Sequence, residues 1–180
     1  PPSDKWLYEL YKVLEQNDVL AVSCAETPRE NADLFYRVIC WNHYRFLEVN
    51  QEDKIFSLPA EETHITLRKN GQLSDIANFI SKDVFMKYKY RFNYAEDLDL
   101  GIRLIKDGYK IAFLGSTRII HSHLRPPYYF LKRGYVDNVF LSNIFPDFEI
   151  PNLNLKNFFN DIIFTYDFLY SLTHTEFSLF

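Results

Sequence analysis

The stretch from Glu96 to Leu114 restricts the fold most, because it contains a complete helix-to-strand unit. Apolar residues recur at helical spacing as far as Lys106, and Gly108 follows at the left-handed position that a helix C-terminus favours. The apolar run over 109–114 then predicts a buried strand. A helix that leads straight into a buried strand is typical of layered α/β domains.

The rest of the chain continues this alternation. Apolar residues make up 47% of the 180 positions, which is enough for one domain with a substantial core. Helices are predicted over 6–14, 31–49, 81–86, 96–106, 126–144 and 155–172. Strands are predicted over 19–25, 74–80, 109–114 and 118–120, and residues 50–72 are expected to be irregular. We therefore expect an α/β domain over 1–124 and an aromatic-rich helical extension over 125–180.

Composition excludes several classes of protein. The chain has 5 glycines and no glycine-rich phosphate loop, and its net charge of -4 comes without the basic stripe that nucleic-acid binding needs. Two cysteines, Cys24 and Cys40, are too few for a disulfide framework. We read both as reduced, which predicts a cytoplasmic protein.

The acidic start of the helix at 96 is the first candidate site. Glu96 and Asp97 lie where backbone N–H groups and the helix dipole favour carboxylates in their charged form. Acids at helix starts also serve as simple caps, so these two alone leave that alternative open. Asp99 and Arg103 stand four residues apart and are expected to pair on the solvent side.

His121 and His123 form the second candidate site. They follow the strand, and alternation along an extended segment points both rings to one face. Two such histidines can hold a divalent metal, although a histidine pair with satisfied hydrogen bonds is an equally good interpretation.

The order of these features resembles a known family. The run FNYAEDLDLGIRLIKDGYKIAFLGSTRIIHSH at 92–123 resembles the Glu-Asp motif region of family 2 inverting glycosyltransferases, which have the GT-A fold. Weaker resemblance, closest to rhamnosyltransferase-like members, extends over residues 1–142. The family's Asp-x-Asp motif would lie before Pro1, so the chain is expected to be the second half of such a domain.

The resemblance implies a role for each matching residue. Asp97 matches the catalytic base, and Glu96 the neighbouring acid, which would orient the acceptor. His121 matches a metal ligand, with His123 as its nearest partner, and the metal would be Mg or Mn. This chain by itself is expected to bind little metal and to transfer no sugar.

Binding partners follow from the same resemblance. They would be a nucleotide-diphospho-sugar donor, whose diphosphate Arg125 and Arg133 could meet, and a saccharide or lipid-linked acceptor in cell-surface polysaccharide synthesis. Peripheral membrane association and self-association are compatible with it, whereas nucleic-acid binding is not expected.

Two alternatives remain open from the residues. One is a non-catalytic interaction module that uses the aromatic C-terminal helices to dock a protein partner or a membrane surface. The other is a small metal hydrolase built on the Glu-Asp and His-x-His groups. We expect the helix over 155–172 to pack on protein, because its sequence has few of the basic residues typical of membrane-surface helices.

Overall fold

A mixed β-sheet organises the described part of the chain, which in this computed structural model comprises residues 4–50, 52–150, 154 and 156. Its strands are β1 (Ala21–Thr27), β2 (Asp53–Phe56), β3 (Asn78–Ile80) and β4 (Ile111–Ile120), arranged in the order β2-β4-β1-β3. The central pair, β1 and β4, is parallel, whereas β2 and β3 run antiparallel to their neighbours. The predicted α/β class is confirmed.

Six helices accompany these strands in the described residues. They are α1 (Trp6–Gln16), α2 (Leu34–Leu47), α3 (His64–Asn70), α4 (Lys82–Tyr88), α5 (Glu96–Lys106) and α6 (Pro127–Ile144). Side chains of Asp33, Thr63 and Ser81 accept backbone N–H groups at the starts of α2, α3 and α4. Among the described helices, none combines the length and apolarity that crossing a membrane requires.

The core lies on both faces of the sheet. Along β4, Ile111 and Phe113 belong to the larger cluster, which includes α5, whereas Ala112 and Leu114 belong to a smaller cluster with Leu10 of α1. Successive strand residues point to opposite faces, so burial on both sides produces an unbroken apolar run rather than an alternating one. This is why the two central strands were recognisable from sequence.

Helix α5 is held in place by a close backbone approach. A Cβ atom placed on Gly101 would lie 1.9 Å from the carbonyl oxygen of Gly71, at the end of α3. Only glycine at position 101 permits this packing. The end of α3 thereby fixes the position of α5, whose first turn carries the acidic residues.

The prediction that 50–72 is irregular is wrong. β2 is a four-residue edge strand paired with β4, and α3 is a seven-residue helix. Thr63 and Thr66 form a reciprocal capping box at the start of α3. Both elements are stabilised mainly by packing against the rest of the domain. They are also too short for their sequences to show a clear repeating pattern.

The strand predicted over 74–80 begins only at Asn78, because residues before it form a turn. The two strands predicted over 109–114 and 118–120 are one strand with an irregularity, since Cys24 pairs with Leu114 and Ala25 with Arg118. α6 belongs to the compact unit Pro1–Phe148. The helix predicted over 155–172 lies outside the described residues.

Candidate active site

The two parallel central strands end at the same edge of the sheet, and the candidate site lies there. β1 ends at Thr27 and β4 at Ile120. The backbone N–H of His121 donates to the carbonyl oxygen of Thr27 at 3.0 Å, which ties the residue after β4 to the end of β1. Ligands of open α/β sheets bind at the carboxyl ends of strands.

Asp97 lies in the first turn of α5, two residues after the capping position. The capping position is Ala95, which has φ 47° and makes no side-chain cap bond. One Asp97 carboxylate oxygen accepts the N–H of Leu98 at 2.8 Å. Ala95, the residue before the helix, has a left-handed backbone conformation that is strained for any residue except glycine. Its methyl side chain cannot accept an N–H group of the helix.

The pKa of Asp97 is raised from 3.8 to about 6. Burial is the main cause, and the charges of Asp75 and Glu96 add to it, while the N–H groups of the helix start oppose it. From sequence, the helix start alone was expected to favour the charged form. The structure shows that desolvation outweighs it, so the carboxylate holds a proton more tightly than an exposed aspartate does.

Glu26 and Asp75, which sequence reasoning missed, join this acidic group. Glu26 is half-buried near the end of β1, and its pKa is raised to about 7 by burial and by the charge of Asp75. Asp75 itself is exposed, so the group opens to solvent. An acid directly after the apolar run of β1 was the signal that could have identified Glu26.

A hydrogen-bonded turn positions Asp75. The hydroxyl oxygen of Ser23 accepts the N–H of Ser74 at 3.0 Å, and the Ser74 hydroxyl accepts the N–H of Ala77 at 3.2 Å. The Asn78 amide donates to the carbonyl oxygen of Ser74 at 2.5 Å. Because these side chains occupy backbone groups that a ladder would use, β3 starts later than predicted.

The two histidines lie side by side, as their spacing predicts. Their Nε2 atoms are 3.2 Å apart, and the rings meet edge to face. Arg29 donates from Nη1 to the Ser122 carbonyl oxygen at 2.8 Å, which fixes the backbone between them. Burial lowers the pKa of His121, as do the neighbouring His123 and Arg29, whereas Asp75 raises it.

The separation of the pair is near that of two ligands of one metal. Neighbouring ligand atoms at ~2.0–2.1 Å from an octahedral metal lie about 2.9 Å apart. The Nε2 atoms, 3.2 Å apart, are also within hydrogen-bond distance of each other. Within the described residues, however, no group of three or more His, Cys, Asp or Glu side chains is arranged to hold a metal. Any further ligands would have to come from elsewhere.

Asp99 is not the solvated acid that the sequence predicted. It is 5% exposed, and its carboxylate is clamped by Arg91 and by Arg103, whose Nε lies 2.8 Å away. Arg103 also donates to the carbonyl oxygens of Tyr88 and Lys89. The expected pairing with Arg103 is present, but it is a buried structural network that ties α5 to the end of α4.

The basic residues proposed for the diphosphate lie on and just before α6. Arg125 stacks on the ring of Tyr129 at 5.1 Å. Arg133 stacks on Tyr94 at 5.0 Å and pairs with Asp137, with 3.7 Å between Nε and Oδ1. Arg133 is thus already engaged, whereas Arg125 is an exposed residue.

Comparisons with family models, with curated proteins and with solved structures found no match to this chain. The site therefore has to be interpreted from its own chemistry.

Proposed function

We propose that this chain is the acceptor-side, base-bearing half of a GT-A-type inverting glycosyltransferase that uses a nucleotide-diphospho-sugar. The observation that carries the proposal is the state of Asp97, a half-buried carboxylate in the first turn of α5 with a pKa of about 6. A general base works best when its pKa lies near the operating pH.

In the proposed reaction, Asp97 removes a proton from an acceptor hydroxyl. The hydroxyl oxygen attacks the anomeric carbon of the donor, the proton passes to the Asp97 carboxylate, and the diphosphate leaves with the electron pair of the broken C–O bond. One in-line displacement of this kind inverts the anomeric centre. Glu96, one residue earlier on the same turn, would accept a hydrogen bond from the acceptor and orient it.

The surrounding acids support this role electrostatically. Negative charge on Asp75 and Glu96 makes protonation of Asp97 more favourable. The same charge repels anionic groups, which suits a neutral hydroxyl acceptor and not the donor diphosphate. The donor must therefore be gripped by cationic groups, for which Arg125 is the candidate in this chain.

A divalent metal such as Mg or Mn, when bound, neutralises charge that develops on the leaving diphosphate. His121 and His123 would be its ligands from this chain. The remaining residues that bind the donor are proposed to lie outside these 180. Sugar transfer is therefore to be measured on the intact transferase.

The test is Asp97→Asn in that intact protein. Asparagine keeps the shape of the side chain and can still accept the Leu98 N–H, but it cannot take a proton. Turnover should fall about 10²–10⁴-fold, while donor affinity stays at the wild-type value. Asp83→Asn is the matched control, because Asp83 also lies in the first turn of a helix, α4, but is exposed.

Near wild-type turnover in folded Asp97→Asn would refute the assignment of the base. An equal loss in Asp83→Asn would show that the effect is not specific to the acidic group.

A further inference from the structure

Helix α6 is apolar on two opposite faces. Its inner face packs on the domain: Phe140 meets the rings of Phe92 and Tyr94, and Leu141 and Ile144 pack against the larger core cluster. An ordinary surface helix would be polar on the opposite face. Here that face carries further large apolar side chains.

We call these residues the outer stripe: Tyr128, Leu131 and Tyr135. They recur at intervals of three and four residues, so they lie on one side of α6. Each is at least 67% exposed, and Leu124, just before the helix, is 78% exposed. A contiguous exposed apolar strip of this kind marks an interaction surface.

Charge around the outer stripe indicates what covers it. Two cationic residues, Arg125 and Lys132, lie next to it on a chain whose net charge is -4, whereas Arg133 lies on the inner face, over Tyr94 and paired with Asp137. Arg125 and Lys132 lie over the rings of Tyr129 and Tyr128. The stripe is therefore flanked by positive charge on an otherwise acidic protein.

We propose that the outer stripe docks on the surface of an anionic lipid bilayer. Tyrosine rings and leucine favour the boundary between headgroups and acyl chains, and flanking Lys and Arg side chains reach back to the headgroups. Two-fold pairing of the same stripe in two copies of the chain would instead bring like charges together around Lys132. The stripe residues and Lys132 have no part in the proposed transferase activity, so this inference does not depend on it.

The experiment is flotation of the whole 180-residue chain with vesicles. Binding is expected to vesicles of equal parts phosphatidylcholine and phosphatidylglycerol, and it should weaken with added salt and be much weaker with phosphatidylcholine alone. Each cation near an anionic surface contributes about a fivefold gain in partitioning, so Lys132→Gln should reduce binding about fivefold.

Leu131→Glu tests the apolar contribution, with Met86→Glu on α4 as its control. Both residues are more than half exposed, so neither change should disturb folding, which circular dichroism verifies. Leu131→Glu should abolish flotation, and Met86→Glu should leave it unchanged. Tyr135→Glu repeats the test at a second position of the stripe.

Three outcomes would overturn the proposal. The first is that the wild-type chain does not float with the anionic vesicles. The second is that it floats equally well with vesicles of phosphatidylcholine alone. The third is that Leu131→Glu and Tyr135→Glu both float as well as the wild type. A dimer that Leu131→Glu converts to monomer, with no vesicle binding by either protein, would assign the stripe to a second copy instead.

Discussion

Replacing Glu26 by glutamine should make the protein more stable at neutral and alkaline pH. Glu26 is half-buried at the end of β1, and it faces the charge of Asp75. Its carboxylate accepts a long hydrogen bond, 3.5 Å, from the Tyr36 hydroxyl. Ionising this carboxyl in the folded state is therefore costly, and glutamine removes that cost while keeping nearly the same shape.

The magnitude follows from the pKa. A rise from 4.5 to about 7 corresponds to about 3 kcal/mol at roughly 1.36 kcal/mol per unit. Partial exposure of the side chain reduces this to about 2 kcal/mol, because solvent screens part of the interaction.

The sign depends on pH. Below the unfolded pKa of 4.5, Glu26 is protonated in both states and imposes no penalty. As pH rises toward about 7, the unfolded chain releases the proton first, so the wild-type protein loses stability progressively. Above the folded pKa the full penalty is present. Glu26→Gln should thus match the wild type in acid and exceed it by about 2 kcal/mol near pH 8.

Urea unfolding followed by circular dichroism, at a series of pH values, measures this difference. Glu61→Gln is the control, because Glu61 is exposed and should show no such pH-dependent gain. A Glu26→Gln protein that is less stable than the wild type near about pH 8, or whose gain is the same at every pH, would refute the reasoning.

Five further substitutions test the packing and the histidine pair. Gly101→Ala should lower the free energy of unfolding by about 3 kcal/mol, measured by thermal unfolding, because the added Cβ would clash with the Gly71 backbone. Gly134→Ala should raise it by up to about 1 kcal/mol, because a Cβ there has no atom within 4 Å. Arg103→Met should cost about 2–3 kcal/mol in urea, because it leaves a buried aspartate with one of its two arginines; a loss below about 0.5 kcal/mol would mean that the pair is not effectively buried. In the proposed intact transferase, His121→Ala should reduce Mg- or Mn-dependent transfer more than His123→Ala. An equal or larger loss at His123 would contradict the choice of His121 as the main ligand.

Sequence sufficed where a pattern repeats along the chain. α5 lies at its predicted bounds, and α6 ends at the predicted Ile144, because long helices with clear start and stop residues carry their signal locally. β2 and α3 were missed since four- and seven-residue elements give too few repeats. Thr63 begins a capping box with Thr66 rather than with the usual Glu or Gln.

The site was only partly predictable for a different reason. Asp97 and the histidines follow recognisable motifs, but Glu26 and Asp75 join them through the strand order β4-β1-β3, which no local pattern specifies. The error at Asp99 has the same origin: Arg91 approaches it from the connection before α5, and helix spacing alone revealed only Arg103.

The pH dependence of sugar transfer by the proposed intact transferase tests the central claim most directly. If Asp97 is the base, kcat/KM should be low in acid, rise through an inflection at pH about 6 and level off above it, because only the ionised carboxylate accepts the acceptor proton. Asp97→Asn should remove this acidic limb along with most of the rate. A wild-type profile that is flat through pH about 6, or a limb that persists unchanged in Asp97→Asn, would contradict the assignment of Asp97 as the catalytic base.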